Sequence, residues 1–291
     1  KNVLLFMARK SGKTALASII ALVQLLTEDN GQEIDCVANS GAQAKILFEM
    51  AKNYAESIDK DRLIFQRYRD SIKLPITKSV IRVKNSDAFT LDGANTSSFF
   101  LDEMHAQKNW DLYNVMKSGQ GFQRQPLAIV ITTAGFLLDS YPLFEMRKVC
   151  LDVLNGIKED DTQFSALYQL DDDDDWINDE SCWIKANPSL GQTVTYEYLR
   201  DQVSMCKNNP SLVTGVLTKN FNKFCSSETF WLDRQYLYDC MQNVDLNDYK
   251  GCYSYVGVDL AAVSDLTAIT VMIPKDDKPI FKSYVFIPEE E

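Results

Sequence analysis

Residues 1–14 read KNVLLFMARKSGKT, and this stretch decides the fold of the chain. The apolar run at residues 3–7 has the length and composition of a buried β-strand. The loop ARKSGKT follows without a break, and small or helix-forming residues continue from residue 15 to residue 26. The stretch therefore predicts a strand, a tight loop and a helix in immediate succession.

The loop carries the chemistry of a phosphate-binding loop, or P-loop. The first turn of a helix exposes unpaired N–H groups, and a loop folded round phosphates points such groups at negative charge. Lys13 is placed to reach the β- and γ-phosphates of a nucleotide, and the Thr14 hydroxyl to bind Mg2+. The pattern G-x-x-x-x-G-K-[ST] is incomplete, because Met7 stands in place of its first glycine. The alternative is an ordinary strand-to-helix turn with a solvated lysine.

A second stretch, TSSFFLDEMHA at residues 96–106, places two adjacent carboxylates at the end of a buried strand. Two acids in such a place are unfavourable unless they meet a cation or a water molecule to be activated. In a P-loop ATPase the first acid holds Mg2+ and the next polarises the attacking water, roles that fall to Asp102 and Glu103. Together the two motifs predict nucleotide hydrolysis.

Length and composition allow two domains, since the 291 residues are 45% hydrophobic. The net charge of -11 is unevenly distributed. Residues 1–155 carry 19 Lys and Arg against 17 Asp and Glu, a balance of +2, whereas residues 156–291 carry 11 against 24, a balance of -13. The total charge therefore argues neither for nor against DNA binding, which depends on local patches.

Cysteine usage and hydropathy indicate the cellular setting. The 7 cysteines form no C-x-x-C pair and are typical of reduced thiols in a cytosolic protein, and the single histidine, His105, excludes a His-rich metal site within the chain. The sequence has no signal peptide and no run of about 18 apolar residues, which predicts a soluble protein. It begins on a predicted core strand and ends just after another, as a fragment of a longer protein would.

Strand and helix patterns alternate along the first half of the chain. This alternation predicts an α/β fold in which helices cover both faces of a doubly wound, mostly parallel sheet. The predicted strands lie at residues 3–7, 34–38, 99–101 and 127–131, and the predicted helices at residues 15–26, 42–57, 109–118 and 143–156.

The second half has a different pattern. Helices predicted at residues 196–207 and 212–224 form a helical connector, and strands at 253–259, 266–273 and 282–287 form an antiparallel meander. Ribonuclease H-like nucleases begin with such a meander, whose first strand ends in a metal-binding Asp, here Asp259. A turn residue at a strand end is the simpler alternative. We predict three domains: a P-loop NTPase domain at 1–155, the connector at 156–250, and the first strands of a ribonuclease H-like nuclease domain at 251–291.

A basic segment surrounds the predicted hairpin strands at residues 71–74 and 80–83. Basic side chains beside a hairpin can contact a phosphate backbone without reading bases. Equally, they can keep an exposed hairpin soluble and prevent pairing at its edge. The residues are Lys60, Arg62, Arg67, Arg69, Lys73, Lys78, Arg82 and Lys84.

Four further polar features each have two explanations. His105 either supports the neighbouring acids through a hydrogen bond or senses the hydrolysed phosphate. The hydroxyls of Thr132 and Thr133, at the end of a strand, either detect the γ-phosphate or cap a helix. Arg124 is either an arginine finger for a neighbouring subunit or an exposed loop residue without such a role. The five successive Asp at residues 171–175 lack the glycine and distal glutamate of an EF-hand and favour a solvated loop over a calcium site.

With these residues in view, the chain resembles the large terminase subunit of tailed bacteriophages, the ATPase and nuclease that packages DNA. The resemblance covers nearly the whole chain, and the order of its motifs is specific. The motifs are ARKSGKT at 8–14, Gln43-Ala44, LDGAN at 91–95, FFLDEMHA at 99–106, ITTAG at 131–135, ANPSLG at 186–191 and GVDLAAVSDLTAI at 257–269.

The resemblance implies a role for each matching residue. Met7 and Arg9 match a P-loop that lacks its first glycine and carries an arginine. Glu103 is implied as the catalytic base, acting with Lys13 and Arg9, while Thr132 and Thr133 couple hydrolysis to movement. The resemblance assigns nucleotide binding to Arg9, Lys10, Ser11, Gly12, Lys13, Thr14 and Asp102. Thr14 and Asp102 are implied as ligands of the Mg2+ that accompanies ATP. Asp259 is implied as a ligand of the nuclease metal, which is Mg2+ or Mn2+.

The same resemblance implies ATP as cofactor and double-stranded DNA, a small terminase subunit and a portal protein as partners. It implies a homo-oligomeric ring that translocates viral DNA into the capsid and cuts the concatemer, in the cytoplasm of an infected or lysogenic bacterium. We expect the adenine-binding segment and the other nuclease carboxylates to lie outside residues 1–291. The alternatives are a helicase-like or remodelling DNA-dependent ATPase without nuclease activity, and an assembly module with a degraded P-loop.

Overall fold

The computed structural model describes residues 1–27, 31–84, 95–136, 140–225, 238–260, 266–275 and 278–286. The chain forms two compact units, residues 1–231 and residues 232–291, and each is described by itself.

The first unit alternates strands and helices along the chain, as the sequence predicts. Its strands are β1 (Asn2–Phe6), β2 (Glu33–Ala38), β3 (Gln66–Arg67), β4 (Ser71–Leu74), β5 (Ser79–Val83), β6 (Ser98–Asp102), β7 (Leu127–Thr132) and β8 (Gln163–Leu167). Its α-helices are α1 (Lys13–Thr27), α2 (Gly41–Ile58), α3 (Asp111–Ser118), α4 (Tyr141–Leu154), α5 (Tyr196–Asn208) and α6 (Val213–Asn220). Short 3-10 helices occur at Met104–Ala106, Glu180–Lys185 and Pro210–Leu212.

The strands of this unit form one sheet in the order β3-β4-β5-β2-β6-β7-β1-β8. The strands from β5 to β8 in this order are parallel, whereas β3 and β4 are antiparallel. Phe6 at the end of β1 pairs with Thr132 and Leu167, and Asp102 at the end of β6 pairs with Ile131. The P-loop and the two carboxylates therefore follow strands that end at the same side of the sheet, where open α/β sheets bind ligands.

Both faces of the sheet are buried. Side chains alternate along β1, so Leu5 packs in the core that holds residues of α1 and α2, and Leu4 and Phe6 pack in the core that holds residues of α3 and α4. Strands buried on two faces consist of near-continuous apolar runs, which is why the sequence reveals them. The predicted doubly wound α/β fold is confirmed.

Two local features differ from the sequence prediction. The segment predicted as a connector begins with strand β8, which pairs with β1 along its whole length. Its sequence, QFSAL, is only partly buried and lacks the apolar run of a central strand. The helix predicted at residues 212–224 ends at Asn220, because Asn222 adopts a left-handed backbone conformation with φ 54°.

Residues 170–221 have a small core of their own around Trp183 and Phe221, and Ala8 of the P-loop belongs to it. The run of Asp residues forms ion pairs with two lysines. Lys185 Nζ lies 2.7 Å from carboxylate oxygens of both Asp171 and Asp174, and Lys223 Nζ lies 3.1 Å from Asp172. The acidic loop is thus partly neutralised by neighbouring lysines.

The second unit contains three antiparallel strands, β9 (Tyr255–Asp259), β10 (Thr267–Ile273) and β11 (Ile280–Phe286), with β10 in the middle. Asp259, the last residue of β9, pairs with Ala268. The predicted antiparallel meander is confirmed, while the domain boundaries at residues 155 and 250 stay a prediction. None of the described helices is long and apolar enough to cross a membrane.

Candidate active site

The P-loop turns sharply between β1 and α1. Lys10 and Gly12 have positive φ angles of 64° and 82°, and a side chain at position 12 would be strained by that backbone conformation. Met7 directly follows β1: its N–H donates to Thr132 O, and its side chain is buried in the core with α1 and α2. A glycine is therefore not required at residue 7, which explains how the incomplete motif still forms the loop.

The Lys13 side chain is folded into this loop. It is only 8% exposed, and its ammonium donates hydrogen bonds to Met7 O at 3.0 Å and Ala8 O at 2.9 Å. Burial lowers the Lys13 pKa to about 8, although the negative charges of Glu103 and Asp102 oppose that shift. A lysine that is buried with two carbonyl partners and faces two acids is not the solvated lysine of an ordinary turn.

Asp102 and Glu103 lie in different environments. Asp102 is 7% exposed at the end of β6, and burial, together with the charge of Glu103, raises its pKa to about 6. Glu103 adopts a left-handed backbone conformation with φ 58°, and its Oε2 atom lies 2.9 Å from His105 Nδ1. Burial alone would raise the Glu103 pKa, but the hydrogen bond and charge of His105, followed by Lys13 and Arg9, lower it. The two carboxyl groups thus have pKa values shifted in opposite directions, a mark of functional sites.

His105 joins Glu103 to the end of β7. Its Nδ1 atom lies 3.2 Å from Thr132 Oγ1 and 3.4 Å from Thr133 Oγ1, and its backbone N–H donates to Thr132 Oγ1 at 3.1 Å. Both threonines are buried. The two predicted coupling residues therefore contact the predicted catalytic acid through one imidazole ring.

The segment after β8 holds the P-loop from outside the sheet. Ala8 N–H donates to Ala186 O at 3.2 Å, Arg9 N–H donates to Lys219 O at 2.9 Å, and Lys10 Nζ lies 4.9 Å from the centre of the Tyr198 ring. No pattern in the sequence predicts these contacts. The ANPSLG motif contains Ala186, but the motif does not indicate that this residue bonds the P-loop.

The remaining predicted nucleotide-binding residues line the same loop. The Ser11 side chain is buried, and no hydrogen-bond partner for its hydroxyl occurs in the part of the chain that the structure describes. Thr14 is half-buried in the first turn of α1, and the side chains of Arg9 and Lys10 are exposed.

Two predicted residues do not belong to this loop. Arg124 precedes β7 at the opposite side of the sheet, where it lines a cavity of about 540 Å³ with Lys1 and Gln24. Asp259 is exposed in the second unit, and within the described ranges no cluster of three or more His, Cys, Asp or Glu suited to a metal occurs. Residues 91–94 and 261–265, which belong to two quoted motifs, lie outside the described residues.

The basic hairpin segment divides into paired and exposed side chains. Arg67 is buried against Asp59, and Arg82 binds Glu33 and Asp35. These two arginines stabilise the hairpin and are not available for a ligand. The side chains that remain exposed are Lys60, Arg62, Arg69, Lys73 and Lys78, while Lys84 is half-buried.

Comparisons with known proteins agree with this geometry. A family model described as terminase large subunit, ATPase domain, matches residues 1–148, and one described as terminase large subunit, endonuclease domain, matches residues 157–291. Protein YmfN of Escherichia coli K12 is 30% identical over 186 residues, which cover 64% of this chain and 40% of YmfN. The terminase large subunit of Lactococcus phage p2 is 23% identical over 293 residues, covering 98% of this chain and 53% of the phage protein.

A solved structure shows the same fold. The crystal structure of the HK97 bacteriophage large terminase matches with a TM-score of 0.67 at 23% sequence identity, over 99% of this chain and 60% of that one. The chain spans about half the length of the curated relatives it matches. With its sheet, its P-loop and both family models in agreement, the chain belongs to the large subunit family of phage terminases.

Proposed function

We propose that this chain is the ATP-hydrolysing part of a motor that moves viral double-stranded DNA into a capsid. We further propose that it carries the start of a metal-dependent endonuclease that cuts the DNA concatemer. The observation that carries the ATPase proposal is the position of Lys13, Asp102 and Glu103. Lys13 follows β1, Asp102 ends β6 and Glu103 comes next, all at the same side of the sheet. The charges of the two acids affect the pKa of Lys13, and the charge of Lys13 lowers the pKa of Glu103. The three proposed domains are the ATPase at 1–155, the connector at 156–250 and the nuclease start at 251–291.

The residues of the loop fit a magnesium nucleotide. A buried ammonium, a buried hydroxyl without a partner among the described residues, and helix N–H groups are donors suited to phosphate oxygens. The buried Asp102 carboxyl and the Thr14 hydroxyl are oxygen ligands of the kind that Mg2+ accepts. We assign the phosphates to Arg9, Lys10, Ser11, Gly12, Lys13 and Thr14. When bound, the metal ion would neutralise negative charge on the phosphates.

The proposed chemistry of the protein is proton acceptance by Glu103. Its lowered pKa keeps the carboxylate ionised at neutral pH, so that it can orient a water molecule and accept its proton. Lys13 and Arg9 would stabilise the charge that develops on the transferred phosphoryl group. We propose that Thr132 and Thr133, which contact Glu103 through His105, respond to a change at this carboxylate and pass it to the segment after β7.

For the motor we propose three partners: duplex DNA, a small terminase subunit and a portal protein, with copies of the chain in a ring. The place of action would be the cytoplasm of the bacterial host. Phosphate release from ATP, measured with and without duplex DNA, tests the proposal. DNA-stimulated turnover supports it. No turnover with Mg2+, DNA and the partner subunits present contradicts it and favours a protein that only assembles.

We expect the exposed hairpin lysines to contact the DNA backbone. A double change of Lys73→Gln and Lys78→Gln should reduce the slope of log affinity against log salt by about 0.9 for each lost phosphate contact. Fluorescence anisotropy of a labelled duplex at several salt concentrations measures this slope. The control changes the exposed Lys148 and Lys207 to Gln. If the slope of log affinity against log salt is equal in both double variants, the hairpin lysines do not contact the DNA backbone and serve only solubility.

In the full-length protein, we expect Asp259→Ala to abolish DNA cleavage while leaving ATP turnover intact. A missing carboxylate weakens the hold on a nuclease metal ion, whose charge stabilisation amounts to several kcal/mol, so cleavage should fall by about 100-fold or more. Agarose gels of plasmid incubated with Mg2+ or Mn2+ measure cleavage. Asp248→Ala, an exposed acid of the same unit, is the control. Cleavage that survives in Asp259→Ala means that Asp259 is not a metal ligand.

A further inference from the structure

Asn222 is a fully buried residue that joins two parts of the first unit. Its Oδ1 atom accepts a hydrogen bond from Ala134 N–H at 2.6 Å, and its Nδ2 atom donates to Tyr168 O at 2.7 Å. Ala134 follows the two threonines at the end of β7, whereas Tyr168 follows β8. The side chain therefore links the residues after β7 to the start of the segment that holds the P-loop.

The link continues to the carboxylate proposed as the catalytic base. Ala134 is adjacent to Thr133, whose hydroxyl lies 3.4 Å from His105 Nδ1, and that atom lies 2.9 Å from Glu103 Oε2. A second hydrogen bond holds His105 itself, because Ser140 Oγ donates to His105 O at 2.7 Å. A displacement of Ala134 would thus move the threonine hydroxyls relative to the imidazole ring.

The backbone conformation of Asn222 is energetically unfavourable for a residue that carries a side chain. Its φ angle of 54° lies in the left-handed region, which asparagine tolerates better than most side chains do, and glycine better still. A residue there whose only task was to end helix α6 could be glycine. The asparagine side chain, with both polar atoms used on two distant backbone groups, is suited to a further task.

We propose that Asn222 is a positioning residue: it fixes the Thr132–Thr133 segment against the His105 ring and thereby sets the position of the Glu103 carboxylate. This inference rests on the proposed ATPase function for its kinetic consequences only. The geometry itself can be tested without activity, because His105 is the single histidine of the chain and its ring gives one set of NMR signals.

The test compares variants at Asn222 with a matched control at the other end of β7. Asn222→Gly keeps the left-handed backbone and removes both hydrogen bonds, whereas Asn222→Asp keeps the acceptor for Ala134 N–H. The control is Gln120→Ala, since the buried Gln120 amide donates to Ser97 O and to Leu127 O at the start of β7. Asn222→Gly and Gln120→Ala each remove a side-chain amide that bonds two backbone groups, so each should lower the melting temperature.

We expect Asn222→Gly to shift the His105 ring signals and to lower kcat by up to about 100-fold with little change in the KM for ATP, as a displaced catalytic group would. Asn222→Asp should restore the signals and kcat only in part, because its carboxylate accepts from Ala134 N–H but has no proton to donate to Tyr168 O. Gln120→Ala should leave both unchanged. If Asn222→Gly does not fold, Asn222→Ser replaces it, because the short hydroxyl cannot reach Ala134 and Tyr168 together.

Unchanged His105 signals in a folded glycine or serine variant would overturn the inference. So would an equal shift in Gln120→Ala. If the unaltered protein hydrolyses no ATP, the proposed function fails, while the NMR comparison still decides the role of Asn222.

Discussion

Glu103→Gln is expected to reduce ATP hydrolysis by about 100-fold or more while ATP still binds. An amide oxygen is a poor proton acceptor, so the attacking water loses its base. The change keeps the size of the side chain, and Lys13 keeps its two carbonyl partners in the loop. The phosphate-binding donors are therefore unaffected, and binding and hydrolysis should separate.

Phosphate release at saturating ATP measures the rate, and titration with a fluorescent ATP analogue measures binding. Glu145→Gln is a suitable control: Glu145 is half-buried like Glu103 and accepts a hydrogen bond from Trp110, but it lies on α4. The rate of the control should match that of the unaltered protein. Turnover at the normal rate in Glu103→Gln would show that another group activates the water.

Lys13→Met is expected to weaken ATP binding by about 10- to 100-fold, the range for loss of a hydrogen bond with a charged partner. Methionine preserves the apolar stem and removes the ammonium. In the protein this ammonium bonds Met7 O and Ala8 O, so its loss also removes two ties within the loop. Part of the effect should therefore appear as a lower melting temperature.

The analogue titration at neutral pH, combined with thermal melting, separates the two contributions. Lys10→Met is the matched control, since Lys10 is an exposed lysine of the same loop that rests on Tyr198. We expect a smaller loss of affinity from Lys10→Met. Equal losses in both variants would assign the phosphate contact to general positive charge and not to Lys13 in particular.

The sequence predicts the centre of this fold well because the signals there are local. The apolar runs of β1, β6 and β7 each lead within three residues to polar residues predicted for the site, so the sequence indicates the strands and the site residues together. The incomplete P-loop motif still predicts the strand, loop and helix found here, since Met7 directly follows β1, bonds Thr132 O and packs in the core.

Contacts between distant parts of the chain could not be predicted. Ala8 and Ala186 are joined through their backbones, which carry no residue-specific signal. Asn222 and Ala134 are 88 residues apart, and only packing brings them together. In the basic segment, Arg67 and Arg82 look like their neighbours in the sequence, yet buried acids bind both and leave the lysines exposed.

The position of β1 between β7 and β8 affects how the ATPase can be dissected. A protein cut at residue 155 would lose β8, and with it the neighbour of β1 on one side. The strand that leads into the P-loop would become an open edge, with unpaired N–H and C=O groups that invite association with other chains. The carbonyls of Ala186 and Lys219 would be lost as well, leaving the N–H groups of Ala8 and Arg9 without those partners. We therefore expect that a fragment containing the proposed ATPase domain folds by itself only if it also includes the segment through Asn222.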